Sequence, residues 1–267
     1  MKNNSLPLSP LSFSSAWFWA IPLFALTAML IIGITGSNRP LFLFLNHALY
    51  FKPEDIWINV TLYGDAAMVM ILMLPLVKNH PEIVVKSFIA AIIASLFLHG
   101  FKEFMPSPRP PSIFTPDLMH QLGNQFYHSS FPSGHATAPF TLACMVIFLV
   151  DNTKIRTLVL VYASLIAISR IATGVHWPID ILGGMFFAWF ATYLSMRFFP
   201  VSGKNLHAQR AVVVLLLLAA FHLIFLHDRG DVEARFLEVL TPIICFVLSL
   251  KGLKGLYLDP LLSKYKK

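Results

Sequence analysis

Eight apolar stretches, most of them close to twenty residues long, divide this chain and leave it few possible folds. A hydrocarbon layer about 30 Å thick is crossed by roughly 20 apolar residues in a helix. On that rule spans are predicted near 16–36, 56–77, 83–103, 133–151, 155–171, 177–199, 211–227 and 237–253. Continuous apolar runs can cross lipid only as helices, which satisfy their own backbone hydrogen bonds. The expected fold is therefore all-α, a polytopic transmembrane helical bundle forming a single membrane domain over 1–267. The charge content agrees: 12% of the residues are charged, against roughly 25% in an ordinary soluble domain.

The eighth stretch is short and holds Glu238 and Pro242, so lying in the membrane interface is its second reading. The segment "NRPLFLFLNHALYFKPED" between the first two spans is apolar but too short to cross. It reads as an interfacial or re-entrant helix ending before Pro53. The first span has no small-residue cleavage site and reads as retained rather than as a cleaved signal. Cys144 and Cys245 both fall inside apolar runs and read as packed thiols, with no disulfide framework.

The net charge of +7 is read as topology rather than as affinity for nucleic acid. Alternating spans place 13 of the 20 Lys and Arg residues on one side and 7 on the other. The side richer in positive charge is expected to be cytoplasmic. Both termini then lie in the cytoplasm, and the Pro-, Ser- and Asn-rich loop of 104–132 lies outside.

With that topology three polar stretches meet at one membrane surface: "KEFMPSPRP" (Lys102 to Pro110), "PSGH" (Pro132 to His135) and "SRIATGVHWPID" (Ser169 to Asp180). Lys102 supplies a point charge, and Arg109 and Arg170 supply planar forks of donors that match phosphate oxygens. The prolines at 106, 108 and 110 limit the freedom of the backbone around Arg109. Ser133 is a good N-cap for the fourth span, and Gly134 allows close approach to the backbone. The free N–H groups of that helix start suit an anion, and His135 sits in its first turn. His176 opens the sixth span with Asp180 four residues on, on the same helix face. Its carboxylate can fix one imidazole nitrogen and leave the other free to attack. Each residue alone has a plainer reading, as snorkelling anchor, loop charge or cap. Together, three cations, two histidines and an acid at one bundle mouth are unfavourable unless an anion joins them. Phosphate binding with attack by a histidine is the chemistry they suit.

The three stretches match, in order and spacing, the Lys-x6-Arg-Pro, Pro-Ser-Gly-His and Ser-Arg-x5-His-x3-Asp motifs of the type-2 phosphatidic acid phosphatase superfamily, which this chain resembles from Lys102 to Asp180. The resemblance implies a six-helix phosphatase core over about 16–199, leaving 200–267 as a C-terminal extension with two more spans. It implies that His176 attacks phosphorus to form a phosphohistidine and that Asp180 orients it. His135 would protonate the leaving oxygen and then activate water. Lys102, Arg109, Ser133, Gly134 and Arg170 would hold the phosphoryl oxygens. No cofactor or metal is expected. The expected partner is a lipid phosphate presented among membrane lipids. Expected substrates are phosphatidylglycerol phosphate, phosphatidate, undecaprenyl diphosphate or a lipid A phosphate, in a bacterial plasma membrane with the site facing outward. The vanadium haloperoxidases share these motifs but are soluble, which the eight apolar runs oppose. A lipid phosphotransferase with the same site is the nearest alternative. A non-catalytic transporter is disfavoured, because the polar residues cluster at one end of the spans.

Six further positions stay open at this stage. Asp65 either pairs with a cation or caps a helix. His99, near Lys102, either lines the pocket or packs. His128 could contact substrate. Phe126, Tyr127 and Phe131 either cover a lipid tail or pack the loop.

Overall fold

The computed structural model describes residues 11–124, 126–199, 205–227 and 232–258. Among these there are ten α-helices: α1 (Ala16–Thr35), α2 (Asn38–Ala48), α3 (Asp55–Leu62), α4 (Ala66–Leu72), α5 (Pro81–Phe104), α6 (Gly134–Leu149), α7 (Thr153–Ala172), α8 (Pro178–Phe198), α9 (Leu206–Phe221) and α10 (Val232–Leu253). Single π-turns prolong α9 to Leu226 and α10 to Leu258. Six helical stretches are long and apolar enough to cross a membrane: α1, α5, α7, α8, and α9 and α10 with their π-turns. The expected short helix between the first two spans is α2.

The second predicted span is present but broken. Helices α3 and α4, the latter carried on to Val77 by a 3₁₀ turn, meet at 67°. At the break Asp65 is extended, and its side chain accepts hydrogen bonds from the N–H groups of Ala67 (2.8 Å) and Met68 (3.4 Å). Of its two readings, Asp65 therefore takes the cap. The residue before it, Gly64, lies so close to the start of α6 that a Cβ there would stand 2.8 Å from the carbonyl oxygen of His135.

The eighth span is present and longer than expected. It begins five residues earlier than predicted and, with its π-turn, runs unbroken from Val232 to Leu258. Glu233, Arg235 and Glu238 lower the apolar signal at its start. Glu238, however, is 2% exposed and is matched by Arg235 (2.8 Å) and His227. The seventh span likewise starts earlier, at Leu206, where the Asn205 side chain caps the Ala208 N–H (3.1 Å).

The two largest apolar cores divide most of the bundle between them. One joins α1, α2, α6, α7 and α8 around Phe18, Phe42, Phe140, Trp177 and Trp189. The other joins α3, α4, α5, α9 and α10 around Leu62, Met68, Val84, Leu216 and Cys245. The C-terminal helices thus complete the second core rather than hang beside a finished domain. Cys144 and Cys245 are free and buried, one in each core. Asn46 of α2 ties the long outer loop to the end of α7. Its amide donates to the carbonyls of His120 (3.0 Å) and Ile171 (2.9 Å) and accepts from the His120 N–H (2.8 Å). A fully buried amide with both ends satisfied fixes position rather than merely filling space.

Candidate active site

The site is assembled where α7 ends and α6 and α8 begin. Past Ala172 the chain folds back, and the amides of Val175 (3.1 Å) and His176 (3.2 Å) both donate to the carbonyl of Arg170. Helix α8 starts at Pro178, whose missing N–H costs little in a first turn. His176 is therefore not the first residue of the sixth span, as the spacing suggested, but stands in the turn before it. Asp180 still reaches it from the first turn of α8. One carboxylate oxygen, Oδ2, accepts from Nδ1 of His176 (3.1 Å), from the Trp177 N–H (2.8 Å) and from the hydroxyl of Ser130. The carboxylate caps the helix and orients the imidazole at once.

With its proton on Nδ1 toward Asp180, His176 keeps a lone pair on Nε2. The Nη1 group of Arg109 lies 3.1 Å from that nitrogen. The guanidinium is fixed by the carbonyls of His128 (2.9 Å), Val175 (3.2 Å) and Ser129 (3.4 Å), and it lies over the ring of Phe126 at 5.2 Å. The proline-stiffened segment is anchored in turn by Trp177, whose Nε1–H donates to the Pro108 carbonyl (2.8 Å). Burial above all, and then the charges of Arg109, Arg170, His135 and Lys102, hold the His176 imidazole well below its ordinary pKa. It is neutral at physiological pH, the form a nucleophile needs.

Arg170 is 3% exposed and donates through Nη1 to the hydroxyl of Thr61 on α3. Ser133 occupies the N-cap position of α6, but its side chain makes no capping bond, contrary to the expectation from sequence. Its N–H instead donates to the Asp180 carbonyl (3.0 Å), which ties the start of α6 to that of α8. Its hydroxyl is buried with no hydrogen-bond partner among the described residues, the condition of a donor waiting for a ligand. The two helices meet this closely because α8 carries Gly184, where a Cβ would stand 2.8 Å from the Ser133 carbonyl oxygen.

Two openings flank His135. One is a largely apolar groove of about 310 Å³ between α4, α5 and α6, lined by Lys102, Gly134 and His135 together with Ala91, Ala94 and Ala138. The other is a cavity of about 260 Å³, lined by polar and apolar groups alike, that His135 shares with Arg170. All eight residues singled out in the three motifs thus gather at one end of the bundle. Of the open positions, His99 lines the groove beside Lys102, with its Nδ1 bonded to the Ser95 carbonyl of its own helix (2.7 Å). His128 contributes its carbonyl to Arg109 while its ring is exposed. Phe126 is the platform under Arg109, Tyr127 is exposed, and Phe131 packs edge-on against Phe101 and Phe187. Ser130 and Thr61 were not foreseen. Ser130 stands two residues before the second motif, in "SSFPSGH", and that adjacency was its one signal. Thr61, on a broken helix far away in sequence, gave none.

Fold and site define an all-helical, multi-pass membrane protein with a buried histidine–carboxylate centre ringed by cations. Residues 84–204 match the family model of the PAP2 superfamily. The segment contains all three motifs. The chain is similar to an undecaprenyl-diphosphatase of Sulfolobus acidocaldarius, with 25% identity over 189 residues, 68% of this chain and 90% of that protein. It is also similar to YbjG of Escherichia coli, with 32% identity over 108 residues. That match takes in 39% of this chain and spans half of that relative's length (50%). Among solved structures, LpxE of Aquifex aeolicus superposes with a TM-score of 0.55 at 26% identity, over 60% of this chain and 95% of that one.

Proposed function

We propose that this protein is a membrane-embedded lipid phosphate phosphatase working through a phosphohistidine. The observation that carries the reading is Nε2 of His176, held neutral in a buried site with Asp180 on its other nitrogen and the Arg109 guanidinium beside it. A phosphoryl group gripped by Arg109 is delivered next to the attacking lone pair. Lys102, Arg170, the Ser133 hydroxyl and the first N–H groups of α6 surround the remaining oxygens, where charge grows in the transition state.

In the first step Nε2 of His176 bonds to phosphorus, the P–O bond to the leaving group breaks, and His135 gives that oxygen its proton. In the second, His135 takes a proton from water, the water oxygen bonds to phosphorus, the P–N bond breaks, and inorganic phosphate leaves. The small residues of the apolar groove leave room for a lipid chain beside His135. The substrate is a lipid phosphomonoester or diphosphate, and the undecaprenyl-diphosphatase name of the Sulfolobus relative supports the diphosphate among these. A phosphotransferase would pass the same phosphoryl group to a lipid hydroxyl instead of water. The core spans 16–199, and the segment from 200 onward is an extension of it. By the bias of Lys and Arg, the site faces the outer side of a bacterial plasma membrane and the termini face the cytoplasm.

Release of inorganic phosphate from a panel of lipid phosphates, in detergent and with EDTA present, tests the proposal. His176→Ala is expected to lower kcat by at least about 10⁴-fold, the scale seen on removing a nucleophile. Phosphate release that survives the substitution overturns the assignment. Loss of wild-type activity in EDTA overturns the metal-free step.

A further inference from the structure

Arg170 serves the site twice. Its carbonyl holds the amides of Val175 and His176, and so the turn that carries the imidazole. Its buried side chain donates to the hydroxyl of Thr61. Thr61 is itself buried and belongs to α3, outside the residues 84–204 matched by the family model. The end of α3 touches three other helices within four residues. Thr61 meets α7 at Arg170. At Gly64 a Cβ would stand 2.8 Å from both the His135 carbonyl oxygen and Cγ2 of Ile166, so the chain there is pressed against α6 and α7. Tyr63 turns to the C-terminal helix: its hydroxyl shares a hydrogen bond with that of Thr241 in α10 (3.0 Å). Thr241 also lies outside the matched residues, on their other side.

The residue type at 61 suits this contact. A guanidinium sits on a long side chain with many rotamers, and a fixed acceptor on one nitrogen sets the plane of the whole fork before a ligand arrives. Threonine is β-branched and has few rotamers of its own. It also accepts without bringing a charge. A carboxylate in its place would orient Arg170 equally well but would compete with a phosphate for the cation. The place of the Thr61 hydroxyl then depends on where α3 lies. That helix has eight residues, too few to be stable by itself, so its position is set by what it packs against. Helices α7 and α10 are those supports, with the Tyr63–Thr241 bond as the polar contact to α10.

We propose that Thr61 is a positioning residue for Arg170, and that α10 holds it in place through the contact of Thr241 with Tyr63. The C-terminal extension is then a working part of the phosphate site, although it brings no side chain to the phosphate itself. This rests on the phosphatase reading, in which Arg170 holds a phosphoryl oxygen, and extends it to residues on both sides of the matched segment.

Inorganic phosphate is the probe. Its binding is read from the thermal melting of the full chain in detergent, and the melting point without phosphate reports on the fold separately. Thr61→Val keeps the shape of the side chain and removes the acceptor. It is expected to weaken phosphate binding about tenfold, the effect of one hydrogen bond to a charged group. Thr61→Ser, which keeps the hydroxyl, is expected to retain most of the affinity. The decisive arm uses Arg170→Gln. In that background Thr61→Val is expected to leave phosphate binding where Arg170→Gln alone puts it, because the guanidinium it positions is gone. Tyr63→Phe and Thr241→Val are each expected to weaken binding by about two- to threefold, a neutral hydrogen bond's worth, and to do no more when combined, since both break one contact. Wild-type affinity in Thr61→Val, or the full loss persisting in the Arg170→Gln background, overturns the positioning role. Phosphate binding unmoved by both Tyr63→Phe and Thr241→Val overturns the part given to α10. The phosphatase reading falls by a different result: no phosphate released from any lipid phosphate by the wild type.

Discussion

Two walls near His135 use the same device for different ends. Each sets an imidazole in a turn between two helices and ties its Nδ1 to a carboxylate near the start of the second, His176 to Asp180 and His227 to Glu238. On the first wall the ring is 2% exposed, Asp180 receives hydrogen bonds only from uncharged groups besides the imidazole, and four cationic groups act on the ring. On the second the ring is 22% exposed, and Glu238 already carries the charge of Arg235. An imidazole–carboxylate pair is thus not in itself a nucleophile. In the mechanism proposed above, burial and the surrounding cations make it one, by holding the ring neutral and bringing the phosphate to it. Without them the same pair is a hydrogen-bonding surface.

Substitutions on the first wall should break catalysis for every ester alike. The largest effect after loss of the nucleophile is expected for Asp180→Asn, which removes the charge that fixes the tautomer; kcat should fall by about 10³–10⁴-fold. Retention of more than a tenth of the activity would erase the distinction drawn between the walls. Arg109→Gln should cost about 10²–10³-fold, as loss of a transition-state donor does. It should also move the pH profile in a defined direction. Burial first, and Arg109 next, depress the His176 pKa, so the wild-type ring stays unprotonated as pH falls through the ordinary imidazole range near 6.5. Without Arg109 the pKa rises, and the acid limb of kcat/KM should shift to higher pH. An unmoved limb would mean that the guanidinium binds phosphate without tuning the nucleophile. Ser130→Ala should have the smallest effect, about tenfold in kcat at unchanged KM, since Asp180 loses one of three donors. Ser130→Thr should restore it, whereas a purely structural loss would not follow the hydroxyl.

Much of the first wall was legible in the chain and almost none of the second. Lys102, Arg109, His135, Arg170, His176 and Asp180 stand in three motifs whose spacing survives any uncertainty about helix ends. Ser130 and Thr61 act through single hydroxyls that leave no periodic trace. The second wall was hidden by its own chemistry. Glu233, Arg235 and Glu238 lower the apolar signal where α10 begins, so the span was placed five residues late and its charges were read as an obstacle to crossing. Only the fold reveals that Glu238 is neutralised within the helix pair. The break at Gly64 and Asp65 was equally invisible, because its residues are apolar enough on either side to pass for one continuous helix.

That break has a consequence for how the enzyme can vary. Gly64 leaves no room between α3–α4 and the backbone of His135, so the second span acts as a fixed stop against which the first turn of α6 rests. A methyl group introduced there would push the stop into the machinery it supports. Straightening the helix instead would withdraw Asp65 and Thr61 from their neighbours. The crooked span and the turn that carries His135 are therefore bound to change together or not at all.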